Sequence, residues 1–291
     1  MKNSRILRRI LASRTSLAGA LIIAFFALTA LAAPLLAPPQ NPQEPYQIPQ
    51  SGYASEPAKP GPGHIFGTAE QQYDMFYGVV WGTRSAFKVG VTVTLAALLL
   101  GILAGVLAGY AGGWADEAIM RVTDVFLAFP GIVLSVVIVA MLGPGLPKVM
   151  LALAVVSWPS YARLVRGEVL SVKERDFVSA ARAMGASHAR ILLRHILPHC
   201  LYPVIIIASL DIGAMVLVAA SLSFLGLGAP PGYADWGQLI ALSRNWILGS
   251  AGAPLAYWHT VVIPGAAISV FVLGWNLLGD AFRDILDPRQ K

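Results

Sequence analysis

Residues 163–198, RLVRGEVLSVKERDFVSAARAMGASHARILLRHILP, form the one long polar island between strongly apolar stretches of this chain. Arg163 and Arg166 carry a preceding helix out into water. Asp176 is placed to cap a short helix over 177–184. Gly185 suits the left-handed turn that ends a helix, and Ser187 can cap the next one, which is expected to stop near Pro198. On the first short helix Phe177, Val178, Ala181 and Met184 can share an apolar face beside Arg175 and Arg182. The local reading is a helix-turn-helix elbow with small and apolar residues at its tip. A solvated loop needs no such tip, whereas seating in a groove of another protein needs small residues for close approach and apolar anchors for grip.

On either side the chain is too apolar for a soluble core. Hydrophobic residues make up 56% and charged residues 12%, and the mean hydropathy is +0.66, which places the chain in lipid. Uncharged runs at 17–37, 89–111, 125–143 and 245–279 approach or exceed the roughly 20 residues that cross a bilayer. Two weaker segments complete the set: 149–162, which relies on Lys148 and Arg163 reaching the interfaces, and about 199–224, interrupted by Asp211. The expectation is an all-α membrane protein with six spanning helices. The first run has a basic start and small residues at its end, as a cleaved signal does, but at 21 residues it is long for one and is read as a span.

Charge placement orients the bundle. With the N-terminus inside, the inner segments 1–16, 112–124, 163–198 and 280–291 hold sixteen of the 21 Lys/Arg, among them Lys2, Arg5, Arg8, Arg9, Arg121, Arg289 and Lys291. Both termini and the polar island are therefore expected in the cytoplasm. The net charge of +6 reads as topology rather than as a nucleic-acid surface, because no soluble basic face accompanies it.

Other features supply candidates. The outer segment 38–63 contains eight prolines and should run as extended, exposed chain; a spacer is favoured over a contact with a partner subunit or receptor. The second outer loop, 226–258, carries Tyr233, Trp236, Trp246, Tyr257 and Trp258, at membrane-interface level or in a re-entrant or docking loop. Gly101, Gly105 and Gly109 follow Ala97 at four-residue spacing and give one helix a face that another helix can approach closely, in this subunit or in a partner. Pro130 and Pro159 interrupt spans, which is tolerated where a helix lines a cavity or packs on protein. Asp211 is the one acid within a span, and is read as facing a watery seam or a partner in preference to relaying protons. His195 and His199 straddle Pro198 with no acidic partner, so no metal site is assigned. Cys200 is the sole cysteine and reads as a small buried hydrophobe. No Gly-Lys pair occurs, so the phosphate-binding loop is absent and nothing resembles a catalytic site.

The spacing of Ser179-Ala180-Ala181, Gly185 and His195-Ile196-Leu197-Pro198 resembles the "EAA" loop of ATP-binding-cassette importer permeases. The resemblance extends along the chain, through Leu35-Leu36-Ala37-Pro38, His64-Ile65-Phe66-Gly67-Thr68, Tyr77-Gly78 to Gly90, Leu222-Ser223-Phe224-Leu225-Gly226-Leu227-Gly228, Trp275-Asn276-Leu277-Leu278-Gly279-Asp280 and Leu286-Asp287-Pro288-Arg289. It points to the C-type permease subunit of the dipeptide/oligopeptide/nickel family. Ala69 and Gln71-Gln72-Tyr73 depart from that family's usual Asp and Gly-Arg-Asp, and Ser179 stands where Glu is typical. The resemblance implies a type I importer permease fold in a bacterial inner membrane, with 1–37 as a cytoplasmic segment and first span, 38–85 as an outer loop, and 86–291 as a five-helix core whose coupling loop lies at about 164–198. It implies a B-type permease partner, two ATP-binding subunits and a solute-binding protein, with ATP and Mg on those partners and no cofactor on this chain. Asp176, Phe177, Ser179, Ala180, Ala181, Met184, Gly185 and Ala186 would contact the ATPase. The cargo implied is a short peptide, with nickel, glutathione or another small solute as alternatives. A proton-coupled carrier centred on Asp211 and a non-transporting scaffold are the readings from other classes.

Overall fold

The computed structural model describes residues 13–249 and 253–286. The basic terminal residues Lys2, Arg5, Arg8, Arg9, Arg289 and Lys291, and the motif end Asp287-Pro288-Arg289, lie outside the described residues. Every regular element among them is helical, with only isolated β-bridges in the outer segments.

Helix α1, Arg14–Leu36, is apolar all round, as a span facing lipid on one side and protein on the other should be. Helix α2, Met75–Ala111, begins where the Asp74 side chain accepts from the Tyr77 amide. Its 37 residues correspond to about 55 Å at the α-helical rise, against roughly 30 Å of bilayer hydrocarbon. The uncharged run 89–111 covers only its C-terminal part, so the helix is longer than a span needs.

The third expected span is not one helix. Helix α3, Gly113–Leu127, and helix α4, Gly131–Leu142, meet at a bend of 88°. Pro130 has no N–H to continue α3, and instead sits as the residue before α4 with its carbonyl accepting from the Leu134 amide at 3.0 Å. Among the described residues, five helices are long and apolar enough to cross a membrane, six if this bent pair is one span. Helix α5, Leu146–Lys173, runs through Pro159 without interruption. A short α6, Asp176–Ala183, leads to α7, His188–Phe224, then α8, Trp236–Leu242, and α9, His259–Leu286. The apolar run from 245 thus enters its helix only at His259.

Helix α2 lies at the centre of the bundle, between α5 and α7. An aromatic cluster of Phe26, Phe87, Trp236, Phe271 and Trp275 joins α1, α2, α8 and α9, with Phe26 and Phe271 edge to face at 5.3 Å. Edge-on stacking of this kind adds specificity beyond the area buried.

The proline-rich outer segment is exposed along most of 38–63, as expected, but it is also tied to the bundle. Ile48, Ala69 and Tyr73 are buried, the Ile48 amide donates to the Gly232 carbonyl at 2.7 Å, and the Ala234 amide to Tyr46 O at 2.8 Å. Tyr46 stacks on Tyr233, and Tyr77 and Trp81 donate to the carbonyls of Pro45 and Ala37. Proline removes amide donors that would need partners, so an extended segment can bury its interspersed apolar side chains as a strap over the top of α2.

Candidate functional site

The polar island folds into the expected elbow, with two local corrections. Asp176 lies inside α6 rather than capping it; Arg175 is the capping residue, and its carbonyl accepts from the amides of Val178 and Ser179. In the first turn the Asp176 carboxylate still interacts favourably with the helix dipole. At the other end Gly185 N–H donates to Arg182 O at 3.0 Å and Ala186 N–H to Ala181 O at 3.1 Å. These two bonds define a Schellman turn, which demands the left-handed φ of +78° found at Gly185. Ser187 caps the following helix by accepting from the Arg190 amide at 3.4 Å.

That following helix does not stop at Pro198. It widens to a π-turn over Ile191–Ile196 and continues as α7. A proline ring collides with the carbonyl four residues back in an α-helix, and the wider turn relieves the crowding at Arg194. The second arm of the elbow is therefore the end of a span.

The proposed apolar face of α6 splits in two. Val178 (0% exposed) and Ala181 (3%) pack into a cluster with Val169, Val172, Ile191 and Ile196 of α5 and α7. Phe177 (37%) and Met184 (82%) point away from it, and Ser179, Ala180 and Gly185 are exposed with them, while Ala186 is half-buried. Nothing of this chain lies within 4 Å of a Cβ built on Gly185. The elbow thus has a buried root that fixes it to the bundle and a bare tip of small and apolar groups.

The glycine stripe packs within this subunit. A Cβ on Gly105 would lie 2.5 Å from Ala162 O and 2.8 Å from Val165 Cβ, one on Gly109 would lie 2.9 Å from Val169 Cβ, and one on Gly101 would strike Tyr161. Helices α2 and α5 therefore meet backbone to backbone, the contact small residues permit in lipid. Tyr161, held in that seam, donates its hydroxyl to Asp211 Oδ2 of α7 at 2.5 Å. Asp211 is half-buried and Tyr161 fully so. Pro159 is buried in α5, two residues before Tyr161, whereas Pro130 is exposed at the α3–α4 break. The seam thus gathers Gly101, Tyr161 and Asp211. His199 Nδ1 lies 2.8 Å from His195 O and its ring 5.0 Å from Phe177. Cys200 is buried, as its small apolar character suggests.

Two further residues belong to the site: Tyr161 matters only through Asp211, 50 positions along the chain, and leaves no local trace, whereas Asp235 carries a local capping signal, an Asp just before a helix. Asp235 caps α8, accepting from the Gln238 amide at 2.9 Å. It is buried, and burial pushes its carboxyl above the usual carboxylate range against the opposing hydrogen bonds from Gln238, Ser223 and Gly237.

Comparison with known proteins agrees with this architecture. Residues 101–291 match the family model described as "Binding-protein-dependent transport system inner membrane component", and residues 4–55 match "N-terminal TM domain of oligopeptide transport permease C". The dipeptide transport system permease protein DppC of Alkalihalophilus pseudofirmus is 40% identical over 284 residues, covering 96% of this chain and 87% of that protein. The glutathione transport system permease protein GsiD of Shigella flexneri is 46% identical over 228 residues, covering 78% and 73%. Among solved structures, inward-facing MetNI methionine ABC transporter superposes with a TM-score of 0.58 at 20% identity, covering 73% of this chain and 98% of that one. An amino acid ABC transporter gives 0.54 at 18%, covering 72% and 94%. At those identities the likeness is one of fold. Membership of such a family implies, in general terms, a partner permease, an ATPase and a substrate-binding protein. The chain is a multi-pass membrane subunit without enzymatic activity of its own, and it belongs to the family of binding-protein-dependent transport system inner membrane components, with the fold of type I ABC importer permeases.

Proposed function

We propose that this chain is the C-type permease of an importer of short peptides, and that its elbow is the seat of an ATPase. The observation that carries the reading is the division of the elbow. Its root, Val178 and Ala181, is buried in this chain, while the tip presents Phe177, Ser179, Ala180, Met184 and Gly185 to the outside with open space above Gly185. A Cβ at Gly185 would meet no steric objection from this subunit, and the bare tip is read as serving an external groove. A B-type permease completes the pathway, two ATP-binding subunits carrying ATP and Mg close on the elbows, and a solute-binding protein delivers cargo on the other face. The excess of Lys/Arg puts the elbow and both termini in the cytoplasm. Closure of the ATPases swings the helices as near-rigid bodies and turns the pathway from one face to the other.

Peptide is favoured as cargo by the 40% identity over nearly the whole chain to a dipeptide permease; glutathione, itself a short peptide, follows from the 46% identity to a glutathione permease. In proteoliposomes loaded with ATP, a labelled dipeptide presented on the cognate binding protein should accumulate only when both ATPases and both permeases are present. Accumulation of nickel but no peptide would overturn the cargo, and accumulation driven by a proton gradient without ATP would overturn the mechanism.

A further inference from the structure

The corner between α2 and α3 is gripped from both sides of the elbow. Helix α2 stops at Ala111, and the chain turns through Gly112 and Gly113 at φ of +67° and +56° into α3. Lys173, the last residue of α5, donates to Tyr110 O at 3.0 Å, with its ammonium 5.7 Å from the tyrosine ring centroid. The Tyr110 hydroxyl lies 2.8 Å from Nδ1 of His188, the first residue of α7. Arg166, two turns before the end of α5, holds Asp116 in the first turn of α3 with a two-pronged pair, Nε to Oδ1 at 2.5 Å and Nη2 to Oδ2 at 2.7 Å. A second pair, Arg163 to Asp124 at 2.6 Å, repeats the link further along α3, but with both side chains more than half exposed.

These contacts differ in mechanical worth. The Arg166–Asp116 fork is planar, bidentate and two-thirds or more shielded on both sides, so it resists rotation as well as separation. The exposed Arg163–Asp124 pair is screened and able to rearrange at little cost. Both roots of the elbow, the end of α5 and the start of α7, thus hold the same corner. Beyond that corner lie α3 and the 88° break before α4.

We infer that Tyr110 and Asp116 are positioning residues that pass a displacement of the elbow to the broken α3–α4 pair, through Lys173 and His188 at one and Arg166 at the other. The inference rests on the elbow seating an ATPase, as proposed above. An elbow pushed by its partner carries the corner with it as long as the ties hold, and α3, pinned at its first turn, changes its angle to α4 at the Pro130 break. The exposed Arg163 pair is dispensable in this scheme.

The test measures substrate imported per ATP hydrolysed by the full complex in proteoliposomes, for Asp116→Asn, Arg166→Gln, Tyr110→Phe, the exchange Asp116→Arg with Arg166→Asp, and Arg163→Gln. The first three should lower that ratio by at least about twofold, the size of effect expected of residues that carry coupling without touching a ligand, while the ATPase still co-purifies and hydrolyses ATP. The exchange should recover most of the loss, and Arg163→Gln should match wild type. A wild-type ratio for both Asp116→Asn and Tyr110→Phe overturns the inference, as does a loss that merely tracks lost assembly and is not recovered by the exchange. Should Asp116→Asn fail to assemble, Tyr110→Phe decides, since it keeps the ring beneath Lys173 and deletes only the bond to His188. Failure of the ATPase-seat reading looks different: complexes carrying Gly185→Arg would then keep their ATPase.

Discussion

Replacing Gly185 by Ala and by Arg separates the strain of the elbow from the fit of its partner. Both substitutions place a Cβ on a residue at φ +78°, at a cost of roughly 1–2 kcal/mol for an L-residue held left-handed. Apart from its chain neighbours, no described residue lies within 4 Å of that Cβ, so the Cβ that the two replacements share adds no clash inside the subunit. Strain is therefore common to the two, and the difference between them lies in the reach of the Arg side chain beyond Cβ. Ala should leave ATPase binding and uptake reduced but measurable. Arg, filling the space above the turn, should lose a central docking contact worth about 2–4 kcal/mol, or about 30- to 1,000-fold in the dissociation constant of the ATPase. The assay is titration of purified ATPase onto the permease pair in nanodiscs, followed by ATP-driven uptake in proteoliposomes. Equal losses for Ala and Arg, with membrane insertion intact, would refute the reasoning, because strain alone would then account for both.

Three further outcomes follow from the bundle. Gly105→Ala should destabilise the α2–α5 pair by about 1–3 kcal/mol, because its Cβ meets the Ala162 carbonyl at 2.5 Å; an unchanged melting temperature of the purified complex would contradict the close packing. Asp211→Asn keeps an acceptor for the Tyr161 hydroxyl and should preserve ATP-driven uptake, insensitive to a proton uncoupler, whereas Asp211→Leu strands that hydroxyl and should cost about 1–2 kcal/mol; a dead but fully assembled Asn variant would show that the acid carries protons. For Asp235, burial raises the folded-state pKa above the unfolded one, so the native state binds more protons between the two values and stability falls as pH rises through that window. Asp235→Asn should flatten the fall in protection of the α8 amides against hydrogen exchange, and an identical pH slope in both proteins would contradict this.

What could be read in the sequence was whatever depends on neighbours a few residues away. Gly185 with Ser187 two residues on is a local turn-and-cap signal, and it survives in the structure because both bonds of the Schellman turn close within α6 and its exit. The four-residue spacing of Gly101, Gly105 and Gly109 marks a bare helix face, but says nothing of which helix lies against it; only the fold supplies α5. The broken third span was half visible in Pro130, which removes a donor without dictating an angle. The uncharged run from 89 misses the start of α2 at Met75, since a helix keeps its backbone hydrogen bonds where its side chains become mixed. The exposure of the strap was legible in its prolines, but its anchoring was not, because proline content reports the shape of the backbone and not whether Ile48 finds a surface to cover. Pairs such as Tyr161 with Asp211, or Arg166 with Asp116, join residues 50 positions apart and leave no local trace.

The central claim, that the bare tip of the elbow seats an ATPase, is tested most directly at Met184. It is 82% exposed, and the only native thiol, Cys200, is buried and gives little background. Met184→Cys in the assembled complex should cross-link to the ATP-binding subunit with a short bifunctional maleimide, with a yield that changes when ATP closes the ATPases, and in right-side-out vesicles it should stay unlabelled by an impermeant maleimide. A complex that transports normally but gives no cross-link from Met184→Cys, or labelling of that cysteine from the outer face, would contradict the account.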